Sequence, residues 1–224
     1  MVIAETFTSI QGEGILAGVP SFFIRTSGCN LRCVWCDTPY ASWRPEGRHR
    51  AVADLVAEAA ASACRHIVVT GGEPLLQREL GPLTRALAGA GHHITVETAG
   101  TIDPEFECAL LSVSPKTANS DPEGRFRVRH RSLRADPKPL LNLLRRHREH
   151  QLKFVVRDEG DMPEVLALVE RISVSPERVL LMPEGRSAAE VATRQRVVAE
   201  LCLRHSFRYS PRLQLDLFGG GRGV

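Results

Sequence analysis

The sequence of 224 residues predicts an α/β fold in the form of an open, partial (βα) barrel of the TIM-like type. Short apolar runs rich in β-branched residues alternate along the chain with segments whose apolar residues recur at helical spacing. This alternation is typical of βα units and a parallel sheet. The units are too few for a closed eight-stranded barrel, which usually needs about 250 residues. The sheet is therefore expected to remain open.

Six apolar runs are predicted as strands and five other segments as helices. Residues 51–64 illustrate the helical pattern, because Val52, Leu55 and Ala59 fall on one face. The predicted strands span residues 21–26, 66–70, 93–98, 110–114, 151–156 and 178–182. The predicted helices span residues 51–64, 75–90, 137–149, 162–172 and 187–203.

The segment 114–136 interrupts the alternation of strands and helices. It contains a basic run, residues 125–131, that could contact an anion or RNA. The simpler interpretation of this run is a solvated loop or an edge strand.

The composition is that of one globular domain, residues 1–224, with 43% hydrophobic and 25% charged residues and a net charge of +3. No apolar stretch is long enough to cross a bilayer, and residues 1–14 show no signal-peptide cleavage pattern. Six cysteines are too few for a disulfide scaffold. We therefore expect a cytoplasmic protein with reduced thiols, in which Cys64, Cys108 and Cys202 are buried small hydrophobes.

Small or polar residues follow five of the predicted strands at the point where each strand ends. Ligands of parallel α/β folds gather at the carboxyl ends of the strands, so these residues are expected to form one site. The segments are Ser-Gly-Cys at 27–29, Thr-Gly-Gly-Glu-Pro at 70–74, Glu-Thr-Ala-Gly at 97–100, Ser-Pro-Lys at 114–116 and Met-Pro-Glu-Gly at 182–185.

Cys29, Cys33 and Cys36 form a C-x3-C-x2-C run directly after the first predicted strand. Three thiolates so close together are expected to share one centre, one ligand short of a closed zinc or iron–sulfur site. Structural zinc would need a fourth ligand, and His49, the nearest histidine downstream, lacks a finger-like spacing. A disulfide is disfavoured in a reducing compartment. A four-iron cluster with one open iron position is the third interpretation.

The other strand ends offer groups that could hold a ligand beside the cysteines. Gly71 and Gly72 let backbone pass close to a ligand, although a glycine pair alone is usually just a turn. Glu97 could accept hydrogen bonds from both hydroxyls of a ribose, and its plain alternative is a surface salt bridge. Ser114 and Lys116 could hold a ribose and a carboxylate.

The cysteine run, with Trp35 before its last cysteine, resembles the signature of the radical S-adenosylmethionine (SAM) superfamily. The resemblance implies a radical SAM core reduced in helices, with a [4Fe-4S] cluster on Cys29, Cys33 and Cys36. It also implies that the amine and carboxylate of SAM occupy the open iron position. The residues implied to contact SAM are Trp35, Gly71, Gly72, Glu73, Glu97, Ser114 and Lys116.

A longer ordered set of motifs, between about residues 3 and 216, resembles the 7-carboxy-7-deazaguanine synthase family within that superfamily. The resemblance implies a lyase that converts 6-carboxy-5,6,7,8-tetrahydropterin to 7-carboxy-7-deazaguanine, with ring contraction and loss of ammonia, in queuosine and related deazapurine biosynthesis. The motifs are residues 7–14, 22–25, 36–38, 70–74, 96–100, 114–116, 182–185 and 210–214.

The same resemblance implies a substrate loop within an N-terminal extension, residues 1–20, and a magnesium ion on Thr38. The implied partners are an external one-electron reductant of the flavodoxin or ferredoxin type and a second copy in a homodimer, with no nucleic acid and no membrane. The residues implied to bind the pterin are Gln11, Gly12, Glu13, Gly14, Arg25, Thr70 and Gln214.

Two departures from the family pattern lie near the C-terminus. Gln214 stands where many relatives carry a histidine, and residues 217–224 have no counterpart and are expected to form a flexible tail. Two other functions remain open at this point: another radical SAM enzyme such as a glycyl-radical activase, which would need a protein partner, and a non-enzymatic zinc or nucleic-acid-binding module that uses the arginine run.

Overall fold

The computed structural model describes residues 1–224, and it contains all six predicted strands and all five predicted helices, with shifts at their ends. No helix combines the length and the apolar composition that crossing a bilayer requires. The strands are β1 (Val2–Ile10), β2 (Pro20–Thr26), β3 (Arg48–His49), β4 (His66–Gly71), β5 (His93–Thr98), β6 (Leu110–Val113), β7 (His150–Val156), β8 (Val179–Pro183) and β9 (Arg208–Tyr209). The helices are α1 (Val52–Ala61), α2 (Leu80–Gly89), α3 (Arg127–Ala135), α4 (Lys138–Arg146), α5 (Met162–Ile172), α6 (Ala188–His205) and α7 (Leu213–Phe218).

One sheet contains all the strands, in the order β3-β1-β2-β4-β5-β6-β7-β8-β9. Neighbouring strands from β2 to β9 are parallel, whereas β1 is antiparallel to both β2 and β3. The edge strands β3 and β9 do not pair with each other, so the barrel remains open. The predicted α/β fold class is therefore confirmed.

The two faces of the sheet differ in chemistry, and this difference positions the site. On β7, Leu152, Phe154 and Val156 belong to the hydrophobic core, which α1, α2, α4, α5 and α6 cover. Successive side chains of a strand point to opposite faces. Gln151 and Lys153 therefore lie on the other face, inside the partial barrel, together with the polar residues of the neighbouring strands.

The basic run 125–131 is largely helical, so its prediction as a loop or edge strand is wrong. A short 3-10 turn, Gly124–Phe126, leads directly into α3. Only His130 of α3 is buried, so the helix shows almost no apolar periodicity in the sequence. Contacts with the rest of the protein, rather than an apolar stripe, hold α3 in place.

Both chain ends are built into the fold. The N-terminal extension 1–20 contains β1, which the sequence pattern does not predict, and the loop that follows it. The segment 217–224 starts inside α7, and Arg222 lies against the β2–β3 loop (residues 27–47). Its guanidinium donates to Glu46 at 2.7 Å and lies 4.1 Å from the centre of the Tyr40 ring. These two contacts place Arg222 against the β2–β3 loop.

Candidate active site

Two adjoining cavities open at the carboxyl edge of the parallel strands. The larger cavity has a volume of about 210 Å³ and the smaller one about 160 Å³. Because the two cavities share part of their walls, two bound molecules would lie side by side. The residues that line both are Glu13, Asp37, Thr38, Thr70, Gly71 and Glu97.

The three cysteines of the β2–β3 loop, Cys29, Cys33 and Cys36, all line the smaller cavity. Two hydrogen bonds fix the loop around them: Trp43 Nε1 donates to the Cys33 carbonyl at 2.9 Å, and Ser42 Oγ lies 3.0 Å from Cys36 Sγ. Burial raises the pKa of the Cys29 thiol to about 11 and that of Cys33 to about 12. Buried thiols lose their protons when a metal binds them, so this donor set fits an iron–sulfur cluster.

His49 does not complete a zinc site with these thiols. It is exposed on the short strand β3, where it pairs with Val2, and it does not line the smaller cavity. No histidine lines that cavity. A metal centre held by the three thiols alone would therefore keep one position for a ligand from outside the protein.

Gly71 and Gly72 also line the smaller cavity, but the packing of the chain is what requires glycine at these positions. Gly71 has φ of +139°, and a Cβ on it would lie 2.2 Å from the Thr26 carbonyl oxygen. A Cβ on Gly72 would lie 2.3 Å from the carbonyl oxygens of Gly28 and Ala41. Gly71 thus lets the end of β4 pack directly against the end of β2, and Gly72 lets it pack against the β2–β3 loop that carries the cysteines.

The Glu73 side chain lies outside both cavities, which differs from the predicted contact with SAM. Its carboxylate is fully buried and accepts hydrogen bonds from Thr98 Oγ1 at 2.7 Å, Ala99 N at 2.9 Å and Leu75 N at 3.1 Å. Burial raises the pKa of Glu73, and these donors oppose that shift. The side chain ties the ends of β4 and β5 together, so only the backbone of Glu73 remains for a cofactor.

The remaining residues implied to contact SAM, including Trp35, do line the smaller cavity. Lys116 Nζ donates to Ser114 Oγ at 2.6 Å and lies 5.5 Å from the centre of the Trp35 ring. Glu97 accepts hydrogen bonds from Thr70 Oγ1 at 2.8 Å and Gln11 Nε2 at 3.1 Å. Glu97 is therefore the link between the two cavities rather than a surface ion pair.

The larger cavity brings together Gln11, Gly12, Glu13, Arg25, Thr70 and Gln214, although they come from distant parts of the chain. A Cβ on Gly12 would overlap the Gln214 side chain, so glycine allows the start of α7 to close against the loop after β1. Gly14 lies behind the cavity instead, where its N–H donates to Ser210 Oγ at 2.9 Å.

Glu13 is the centre of the charge network between the cavities. Its carboxylate pairs with Lys153, with Arg212 at 3.2 Å, and accepts from Gln214 Nε2 at 2.7 Å. Burial alone would raise the pKa of Glu13, but Lys153 and Arg212 lower it to about 2. Glu13 is therefore ionised at neutral pH and presents a hydrogen-bond acceptor to the larger cavity.

Lys153 and Arg212 are two charged site residues to which the sequence motifs assign no role. Lys153 is 5% exposed on the inner face of β7, and Arg212 is 5% exposed just before α7. A signal for Lys153 exists in the sequence, because it is one of three lysines and interrupts an otherwise apolar strand. Arg212 also pairs with Asp37, which joins the C-terminal segment to the β2–β3 loop.

An open (βα) barrel that carries three cysteines just beyond its first parallel strand is the architecture of the radical SAM enzymes. The sequence model of the Radical SAM superfamily matches residues 23–158, more than half of the chain. The protein is thus a radical SAM enzyme.

Full-length relatives narrow the class to one family. A 7-carboxy-7-deazaguanine synthase from Rhodopirellula baltica is 41% identical and covers 100% of this chain and 89% of its own length. One from Halobacterium salinarum is 44% identical, with 96% and 90% covered. The crystal structure of QueE from Escherichia coli has a TM-score of 0.69 at 26% identity, covering 93% of this chain and 92% of that one. The chain belongs to the 7-carboxy-7-deazaguanine synthase family.

Proposed function

We propose that the protein converts 6-carboxy-5,6,7,8-tetrahydropterin to 7-carboxy-7-deazaguanine, with ring contraction and loss of ammonia, in the biosynthesis of queuosine and related deazapurines. The observation that carries this function is the larger cavity, which has a polar lining and adjoins the cysteine-lined cavity. A pterin presents both hydrogen-bond donors and acceptors along one edge and needs such a lining. The names of the full-length relatives agree with this product.

The smaller cavity would hold a [4Fe-4S] cluster on Cys29, Cys33 and Cys36, with SAM beside it. When bound, this pair would supply the abstraction of a hydrogen atom from a C–H bond of the substrate, because the cofactor rather than the protein carries such chemistry. Lys116 places a positive charge in the cavity that suits the carboxylate of SAM. Glu97 lines the boundary with the larger cavity and offers its carboxylate to hydroxyl groups of the ribose.

The larger cavity would orient the pterin through three side chains with distinct roles. Glu13 stays ionised and accepts hydrogen bonds from N–H groups of the pterin edge, and Gln11 contributes from the same loop. Arg25 uses its Nε to donate to Glu5 at 2.6 Å, so the terminal nitrogens of the guanidinium remain for a carbonyl or carboxylate. The resulting pocket fixes the substrate beside Thr70 and Glu97, at the wall shared with SAM.

Thr38 is proposed to bind a magnesium ion that also holds the substrate carboxylate. It lines both cavities, and its Oγ1 lies 3.8 Å from Cys36 Sγ. The neighbouring Asp37 is paired with Arg212, which leaves the Thr38 hydroxyl as the freer oxygen ligand. Magnesium keeps several waters and needs few protein ligands, so one hydroxyl at this boundary suits it.

Replacing Thr38 by valine is expected to weaken the magnesium dependence of turnover. Valine keeps the shape of threonine but removes the oxygen, so the magnesium concentration for half-maximal activity should rise at least about tenfold. Titration of magnesium in the turnover assay measures this effect. Iron content should match the unmodified protein, and Thr193→Val on the exposed side of α6 is the control. An unchanged magnesium response would remove Thr38 from the site.

The proposed function also includes a single catalytic domain, an external one-electron carrier of the flavodoxin or ferredoxin type, and a homodimer. The carrier and the dimer are implied by the resemblance of the motifs to the family. The contact between the N-terminal loop and the start of α7 supports one domain, because the substrate cavity needs both chain ends.

Anaerobic reconstitution followed by turnover tests the proposed reaction directly. The protein, loaded with iron and sulfide, would receive SAM, magnesium, dithionite and 6-carboxy-5,6,7,8-tetrahydropterin. We expect 7-carboxy-7-deazaguanine by mass spectrometry, with SAM not consumed in proportion to product. A reaction without the pterin is the control. A protein with an intact cluster that forms no deazapurine would contradict the proposed function.

A further inference from the structure

The exposed surface of α3 and of the turn before it carries three arginines that have no acidic partner within the protein, although Arg125 lies 4.7 Å from the centre of the Phe126 ring. Arg125, Arg127 and Arg129 are exposed and form no ion pair, whereas Arg131 and Arg134 both pair with Asp121. The first turn of α3 contains no acidic residue. Positive side chains at a helix N-terminus oppose the helix dipole, so these arginines do not stabilise α3. Their charge is available to a partner outside the chain.

A groove connects this surface to the first cysteine of the C-x3-C-x2-C run. Cys29 and Arg32 form one side of the groove, and Phe126, Arg129 and His130 of the α3 region form the other. Arg32 Nη1 donates to the Cys29 carbonyl at 2.6 Å. A molecule bound on α3 would thus be separated from the cluster site by little more than the Cys29 residue.

Buried contacts join α3 to the β2–β3 loop. His130 is 1% exposed, and its Nδ1 accepts from the Arg32 N–H at 3.0 Å. Its Nε2 lies 3.0 Å from Ser120 Oγ. The Phe126 ring packs edge-on against Trp43 at 5.7 Å and lies 5.5 Å from the Arg32 guanidinium. These contacts fix the position of the α3 surface relative to the cysteines before any partner binds.

We propose that the surface formed by Arg125, Arg127, Val128 and Arg129 is the docking site for an acidic one-electron carrier protein that reduces the cluster. The inference rests on the proposed function, which requires such a reductant. Val128 is 81% exposed between the arginines. An apolar centre with a charged rim is typical of protein interfaces, and charge complementarity selects an acidic partner. In the transfer, the carrier is oxidised by one electron and the cluster is reduced by one.

A charge-neutralising variant on the cluster-loaded enzyme tests the docking site, with flavodoxin as the carrier. A control variant replaces the same number of arginines that form no ion pair, at the opposite end of the molecule, where the parallel strands begin. Two quantities are measured at low ionic strength: the Kd for oxidised flavodoxin by calorimetry, and SAM cleavage driven by reduced flavodoxin or by dithionite with methyl viologen. The test variant is Arg125→Gln, Arg127→Gln and Arg129→Gln together, and the control is Arg145→Gln, Arg148→Gln and Arg171→Gln together.

We expect the test variant to weaken flavodoxin binding and flavodoxin-driven SAM cleavage by roughly tenfold or more, as for loss of electrostatic steering. High salt should abolish the difference, and dithionite-driven cleavage and the control variant should match the unmodified enzyme. Equal flavodoxin affinity in all three proteins would overturn the docking site. If the unmodified enzyme made no deazapurine with dithionite, the proposed reaction would be contradicted. The docking site would still be tested in that case, because SAM cleavage driven by flavodoxin does not depend on deazapurine formation.

Discussion

Replacing Cys33 by alanine is expected to remove the iron–sulfur cluster and all measurable formation of deazapurine. Cys33 is 8% exposed and lines the smaller cavity with two other thiols. Two thiolates cannot hold a four-iron cluster in a fixed position, and every later step depends on that cluster. The measurements are iron and sulfide per protein after anaerobic reconstitution, the visible spectrum, and product analysis.

The substitution should leave the fold intact, because it removes only one sulfur atom from a loop. Circular dichroism should therefore match that of the unmodified protein. Cys202→Ala is the matched control, since Cys202 is a buried thiol of α6 that packs in the hydrophobic core, away from both cavities. The control should keep its iron and its activity. Unchanged iron content in Cys33→Ala would show that Cys33 is not a cluster ligand.

The parallel part of the sheet could be predicted from the sequence because its signals are local. Each parallel strand from β4 to β8 is a short apolar run, and apolar residues at helical spacing mark the helices that cover it. The sequence does not predict the antiparallel strand β1 because Val2–Ile10 mixes apolar and polar residues without regular alternation and is largely half-buried. The helix α3 was missed for a similar reason, since one buried histidine and its contacts with the β2–β3 loop hold it in place.

The residues of the candidate site also fall into two groups, those that local sequence signals predict and those that only the fold brings together. The cysteines were predictable because all of them lie in one loop and their chemistry demands a common centre. Lys153 and Arg212 were not, because they meet Glu13 from the inner face of β7 and from the segment before α7. For Glu73, the position next to two glycines predicts a ligand contact, whereas burial and three donors give its side chain a structural role and leave its backbone for a ligand.

Replacing Lys153 by methionine is expected to destabilise the fold and to abolish pterin binding. The substitution leaves the buried Glu13 carboxylate without its closest cation, although Arg212 remains at 3.2 Å. Breaking a buried ion pair from one side costs about 3–5 kcal/mol, and we expect about 3 kcal/mol because of the remaining arginine. Urea unfolding of the cluster-free protein measures the stability, and calorimetry with the pterin measures binding.

The double variant Lys153→Met with Glu13→Gln separates charge from packing. Removing both charges leaves no uncompensated carboxylate, so most of the stability should return, while pterin binding should stay lost because Glu13 supplies an acceptor. If the single and the double variant were equally unstable, the ion pair would not be the cause.

The pH dependence gives an independent check of the same ion pair. In the unmodified protein the pKa of Glu13 is lowered from its usual 4.5 to about 2, so its stabilising contribution is present above about 4.5 and is lost as the pH falls toward 2. Without Lys153 the buried carboxyl takes up its proton at a higher pH, because burial raises the pKa of Glu13. The stability deficit of Lys153→Met should therefore shrink as the pH falls through this range. A stability deficit that stays constant with pH would show that poor packing of the methionine causes the loss of stability. The charge of Glu13 would then not be its cause.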